Sequence, residues 1–183
     1  TRVRSSAASD VYKRQIYSNN DSVRDRHINR LFICHRGVMI RLRGKRVLVY
    51  GMGISGQSAS KLLHEQGACV SVYDDENRFS SYFNYQKNPL MQKYDLVVVS
   101  PGIKVIGNQL ISHFIVAKTP IISELDLGYL FTKGKVIGIT GTNGKTTVTS
   151  LVGDIFKKAG RKTFVCGNIG LPISSTALQT DKQ

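Results

Sequence analysis

Apolar and polar positions fall into two alternating kinds of block along most of this chain. Short apolar runs recur at residues 47–50, 70–73, 96–99, 121–122, 136–139 and 163–166. Runs of this length, bounded by glycine, proline or acid, predict buried strands. Between them lie longer stretches with apolar residues at helical spacing, which predict helices over 55–66, 108–117, 124–131 and 145–158. Ala59, Leu62 and Leu63 form the inward stripe of the first helix, and Gly67 is placed to cap it. Residues 75–93 are polar and aromatic and predict a loop with an irregular helix.

Strands separated by helices imply parallel βαβ units with right-handed crossovers. The expected fold class is α/β. A Rossmann-like parallel-sheet domain over 39–133 is followed, after the short polar link Thr132-Lys133-Gly134-Lys135, by the truncated start of a P-loop-type ATP-binding domain over 134–183. Residues 1–38 show no sustained period, and their longest apolar run is Leu31-Phe32-Ile33-Cys34. They lack the apolar stretch of a secretory signal, and Asp10, Asp21 and Asp25 argue against a transit peptide. They are expected to be a disordered or non-native leader, with Met39 as the native start.

Charge sharpens this division. The 183-residue chain carries a net charge of +14, yet residues 1–46 hold twelve basic and three acidic side chains. A basic arm on a folded domain could serve nucleic acid, but no aromatic interleaving or motif spacing accompanies it. Apolar residues make up 41% and charged residues 21%, which excludes collagen-like and disulfide-scaffold chains. No apolar run approaches the roughly 20 residues of a membrane span. Cys34, Cys69 and Cys166 are odd in number and far apart, which argues against disulfides or zinc. Cys69 and Cys166 are expected to be small buried hydrophobes.

Two glycine loops carry the chemistry. Gly51-Met52-Gly53-Ile54-Ser55-Gly56 is G-x-G-x-x-G between a predicted strand and a predicted helix, and Asp74 ends the next strand. Gly51 permits the tight turn, Gly53 lets backbone approach a diphosphate, and Gly56 lets helix pack on strand. Asp74 can accept from ribose hydroxyls or from a base. The pattern does not separate NAD from a UDP-sugar, since both present a diphosphate beside a ribose. Asp75 and Glu76 follow Asp74, and three carboxylates together would repel the 2′-phosphate of NADP.

The second loop is Val136-Ile137-Gly138-Ile139-Thr140-Gly141-Thr142-Asn143-Gly144-Lys145-Thr146-Thr147. It departs from G-x-x-x-x-G-K-[ST] at Ile139, but Gly144-Lys145-Thr146 is intact. Backbone N–H groups from Thr142 to Lys145 can cradle an anion, Lys145 can reach β- and γ-phosphates, and Thr146 can ligate Mg²⁺. A dehydrogenase has no use for this loop, and an ordinary P-loop NTPase has none for the first.

In combination these motifs resemble the Mur ligase family, over about residues 39–175. The 138–147 segment resembles the family's ATP loop. Gly167-Asn168-Ile169-Gly170-Leu171-Pro172 and Ser100-Pro101-Gly102-Ile103 resemble segments of its D-glutamate-adding branch. The resemblance implies ATP-dependent amide formation in peptidoglycan precursor synthesis, through an acyl phosphate on UDP-N-acetylmuramoyl-L-alanine that the amine of D-glutamate displaces. It implies ATP as co-substrate bound by Gly141, Thr142, Asn143, Gly144, Lys145, Thr146 and Thr147, with Lys145 catalytic and Thr146 on Mg²⁺. It places Gly53, Ile54, Ser55, Asp74 and Asp75 at the uridine, and Ser100, Gly102 and Asn168 at the diphosphate. Asn168 also suits a turn that tolerates positive φ. The implied protein is a cytoplasmic monomer with no nucleic-acid partner and no membrane insertion. The family's acidic magnesium ligand, carbamylated lysine, histidine and third domain have no counterpart in the 183 residues. The chain is therefore expected to be an N-terminal fragment, inactive alone. The competing reading, an NAD-binding Rossmann domain of an oxidoreductase or sensor, explains 47–74 and leaves 136–172 unexplained.

Overall fold

The computed structural model describes residues 41–78, 82–167 and 170–180. The leader 1–38, Met39 and Asn168 lie outside them. Five strands form one parallel sheet: β1 (Arg46–Tyr50), β2 (Cys69–Tyr73), β3 (Asn84–Tyr85), β4 (Leu96–Val99) and β5 (Ile121–Ser123). Their order is β3-β2-β1-β4-β5, so the chain steps from β1 to one side and later returns to the other. The helices are α1 (Ile54–Glu65), α2 (Gln109–Val116), α3 (Glu124–Phe131), α4 (Lys145–Lys158) and the single turn α5 (Ile173–Thr176).

β1 lies at the centre because both its faces are apolar. Val47 and Val49 join Leu62, Leu63, Leu96, Val98 and Leu127 in one cluster. Leu48 and Tyr50 point the other way, to Val97, Val99, Ile111 and Phe114. A continuous apolar run buried on both faces is the signature of a doubly covered parallel strand. Each such side chain contributes about 1.5–3 kcal/mol on burial.

Local chemistry sets the helix ends. After α1, the Ala68 amide donates to Leu63 O (3.0 Å) and the Gly67 amide to His64 O (2.8 Å), with Gly67 at φ +78°. This is a Schellman stop. Asn108 caps α2 by accepting from the Ile111 amide at 3.0 Å. Ser123 and Asp126 cap each other's amides at the start of α3. α5 docks on α3 through Glu124, which is 2% exposed and accepts from the Ser174 amide (2.9 Å) and hydroxyl (2.5 Å). Residues after 170 thus pack on helices that precede the 132–135 link.

Four expectations need correction. Residues 136–139 do not form a strand, and Val136 and Ile137 are 48% and 58% exposed. A strand needs a neighbour for its backbone groups, and none of the described residues supplies one. At 163–166 there is only a bridge between Cys166 and Leu171, for the same reason. The 75–93 loop holds the two-residue edge strand β3 and a 3₁₀ turn (Pro89–Met91), both too short to leave a periodic signal. Cys69 is exposed at the start of β2 rather than buried. Cys166 is partly covered, and burial raises its thiol pKa. Among the described residues no helix is long and apolar enough to cross a membrane.

Leu48→Ala should lower the unfolding free energy by about 2–5 kcal/mol in urea denaturation. Val136→Ala should change it by less than about 0.5 kcal/mol. A comparable loss at both positions would mean that the 136–139 run is packed as a strand.

Candidate functional site

A cleft of about 550 Å³ opens beyond the C-terminal ends of β1, β2 and β4. This is where the strand order reverses, the usual ligand position in an open parallel sheet. The β1–α1 turn lines it with Gly51, Gly53, Ile54 and Ser55. Asp75, Glu76 and Arg78 line it after β2, and Ser100 to Lys104 with Asn108 after β4. Gly167, Gly170 and Pro172 complete the wall.

Close packing makes the glycine turn. Gly51 has φ +94°, and a Cβ on Gly56 would collide with the Gly51 carbonyl and stand 2.9 Å from Ser100 Oγ. Ser100 instead donates its hydroxyl to Gly51 O at 2.7 Å, tying the β4 loop to the turn. Ile54 is 77% exposed at the rim, an apolar edge free to cover a base.

Asp74 does not line the cleft. Its carboxylate is 1% exposed and turned inward. It accepts from the amides of Met52 (2.6 Å), Glu76 (2.9 Å) and Arg78 (3.3 Å), and from Arg78 Nε (3.1 and 3.2 Å). Burial alone would raise its pKa, but the amides and Arg78 outweigh burial and hold it below the ordinary value near 3.8. Asp75 and Glu76 are the acids that face the cleft, and Asp75 is held there by a hydrogen-bond chain. Tyr50 Oη donates to it at 2.6 Å and accepts from Asn108 Nδ2 at 2.8 Å. Burial, and then the bond to Asp75, push the Tyr50 hydroxyl pKa up to about 12, so it remains a donor at neutral pH.

The second loop stands before α4. Gly144 is at φ +73°, and no side chain caps the helix. No acid occupies its first turn, which leaves first-turn amides for an anion. Lys145 Nζ donates to the carbonyls of Gly141 and, at 3.1 Å, Thr142. None of residues 141–147 lines the cleft.

Residues 139–182 match the Mur ligase middle domain. The chain is 39% identical over 155 residues to a UDP-N-acetylmuramoylalanine--D-glutamate ligase of Lachnospira eligens, covering 77% of this chain and 34% of that protein. It is 39% identical over 153 residues to the enzyme of that name from Lachnoclostridium phytofermentans (75% and 34%). The Macrococcus caseolyticus enzyme of that name is 39% identical over 150 residues, with the same two shares. About three quarters of the chain is thus similar to Mur ligases. The chain spans about a third of the length of these relatives. Among solved structures, a dehydrogenase from Rhizobium meliloti aligns with TM-score 0.32 at 15% identity, over 88% of this chain and 63% of that one. That overlap is too loose to inform function.

Of the residues that the resemblance places at the nucleotide, Gly53, Ile54, Ser55, Asp75, Ser100 and Gly102 line the one cleft, with Asp74 behind the turn. Asn168 lies outside the described residues, between Gly167 and Gly170 of the wall. Sequence reasoning passed over Tyr50, Lys104 and Asn108. Asn108 was legible only as a helix start, and no local signal ties it to Tyr50, 58 residues away. Among the described residues no cluster of three His, Cys, Asp or Glu side chains could hold a metal.

Asp74 gives a signed pH dependence. Its folded-state pKa is lowered, so its contribution to stability is complete above its unfolded value and is lost as pH falls through the folded one. Asp74→Asn should cost stability at about pH 6, and its deficit against the parent chain should shrink towards about pH 2 in urea titrations. A deficit constant across that window would contradict an ionised strut.

Proposed function

We propose that this chain carries the uridine-nucleotide site and the ATP loop of a ligase that adds D-glutamate to UDP-N-acetylmuramoyl-L-alanine in peptidoglycan precursor synthesis. One observation carries the reading: a Rossmann-type cleft and a Gly-Lys-Thr helix start occur in this order in one chain whose relatives bear that name. Residues 39–133 are the substrate domain, and the ATP-binding domain starts at about 134. The protein acts as a cytoplasmic monomer without nucleic acid.

The substrate enters the cleft with its uracil and ribose towards Ile54, Ser55 and Asp75. Its diphosphate lies towards Gly53, Ser100, Gly102 and Asn168. Asp74 serves by fixing the turn from behind. The amides from Thr142 to Thr147 hold the ATP phosphates, with Gly141 giving the loop its bend. Lys145 exchanges its loop carbonyls for phosphate oxygens and offsets charge on the transferring group. Thr146 contributes its hydroxyl to Mg²⁺, and Thr147 supports the same phosphates. When bound, Mg²⁺ supplies further charge neutralisation at the phosphates. The substrate carboxylate attacks the γ-phosphate, ADP leaves and an acyl phosphate forms, and the amine of D-glutamate then displaces phosphate and loses a proton to give the amide. This reaction is assigned to the longer protein, and the 183-residue chain is proposed to bind without turning over.

Calorimetric titration of the chain should show binding of UDP-N-acetylmuramoyl-L-alanine and none of NADH. Binding of NADH alone would overturn the ligase reading in favour of an oxidoreductase or sensor domain. D-Glutamate-dependent phosphate release by the chain alone would overturn the proposal that it does not turn over.

A further inference from the structure

The charged groups of the cleft are not equivalent. Arg78 pairs with Asp74 and, through Nη1, with Glu76 at 3.3 Å. Asp75 accepts from Tyr50. Lys104 also lines the cleft, and it alone of these charged groups has no hydrogen bond or ion pair within the described residues. Its backbone is nonetheless held. The Ile103 amide donates to Ser100 O at 3.1 Å, and Ser100 is bonded to Gly51. The Ile103 side chain fills the space beside Gly51, where a Cβ would meet its Cγ1 at 3.0 Å. Only the flexible end of Lys104 is free to move.

The sheet order gives this charge a direction. β2 and β4 flank β1 on opposite sides. The acids Asp75 and Glu76 follow β2, and Lys104 follows β4. Arg78 also follows β2, but Asp74 and Glu76 hold it, so Lys104 is the cation left to meet an anionic end on the β4 side.

Building on the uridine-nucleotide reading of the cleft and the orientation given there, we propose that Lys104 contacts the ligand's phosphates from the β4 side. Lysine suits this role as a compact cation on a flexible stem. Its exposure places the effect at the low end for a charged hydrogen bond, about tenfold in affinity.

The test is calorimetric titration of the full 183-residue chain with UDP and, separately, with uridine. The parent chain should bind UDP more tightly, and added salt should narrow the gap. Lys104→Ala should weaken UDP about tenfold and leave uridine unchanged, whereas Lys104→Arg should keep most of the preference. Thermal unfolding of each variant should match the parent, because Lys104 has no hydrogen-bond or ion-pair partner among the described residues. Unchanged UDP binding in Lys104→Ala would overturn the proposal and leave the uridine-nucleotide site standing. Equal weakening of UDP and uridine would overturn it too, since a phosphate contact cannot be read through uridine. Failure of the folded parent to bind either ligand would overturn the site itself, and the proposal with it.

Discussion

The shape of the cleft depends on one buried carboxylate. Asp74 gathers an amide from the glycine turn, two from its own loop, and the guanidinium of Arg78. Burying an ionised carboxylate is costly unless nearly every lone pair is met, and here both oxygens are. The Met52 bond spans two adjacent parallel strands at their C-terminal ends. It fixes the glycine turn relative to the β2 loop, as Ser100 fixes it relative to the β4 loop. Three loops from three strands are thereby held as one rim, and the cleft-lining groups stand on that rim.

This arrangement changes what an acid after the second strand means. The motif reading makes Asp74 a ligand for a ribose or base, yet its oxygens are already occupied. The neighbour Asp75 faces the cleft, oriented by Tyr50 and through it by the cap of α2. The buried strut and the cleft-facing acid are adjacent in sequence and chemically identical. Only the pleat and the turn separate them, and neither can be read from the residue types.

Much of the rest was legible. The runs at 47–50, 70–73, 96–99 and 121–122 are strands because their apolar residues meet helices on the sheet's faces. The glycines at 51 and 56 perform the packing that their spacing implies. The 136–139 run shows the limit of such reasoning. Its composition is that of a strand, but strand formation depends on a partner that composition does not reveal. Long-range polar contacts were equally hidden. Glu124 reads as an ordinary first-turn acid of a capped helix, and its bond to Ser174, 50 residues on, brings the far wall of the cleft against the sheet's own helices.

The central claim is that Asp74 couples the glycine turn to the β2 loop. Hydrogen–deuterium exchange at single-amide resolution, comparing the parent chain with Asp74→Ala, tests it most directly. The account predicts that the Met52 amide loses protection together with those of Glu76 and Arg78, while β1 and β4 keep theirs. Loss confined to Glu76 and Arg78, with Met52 still protected, would show that the turn stands without the carboxylate and would contradict the account.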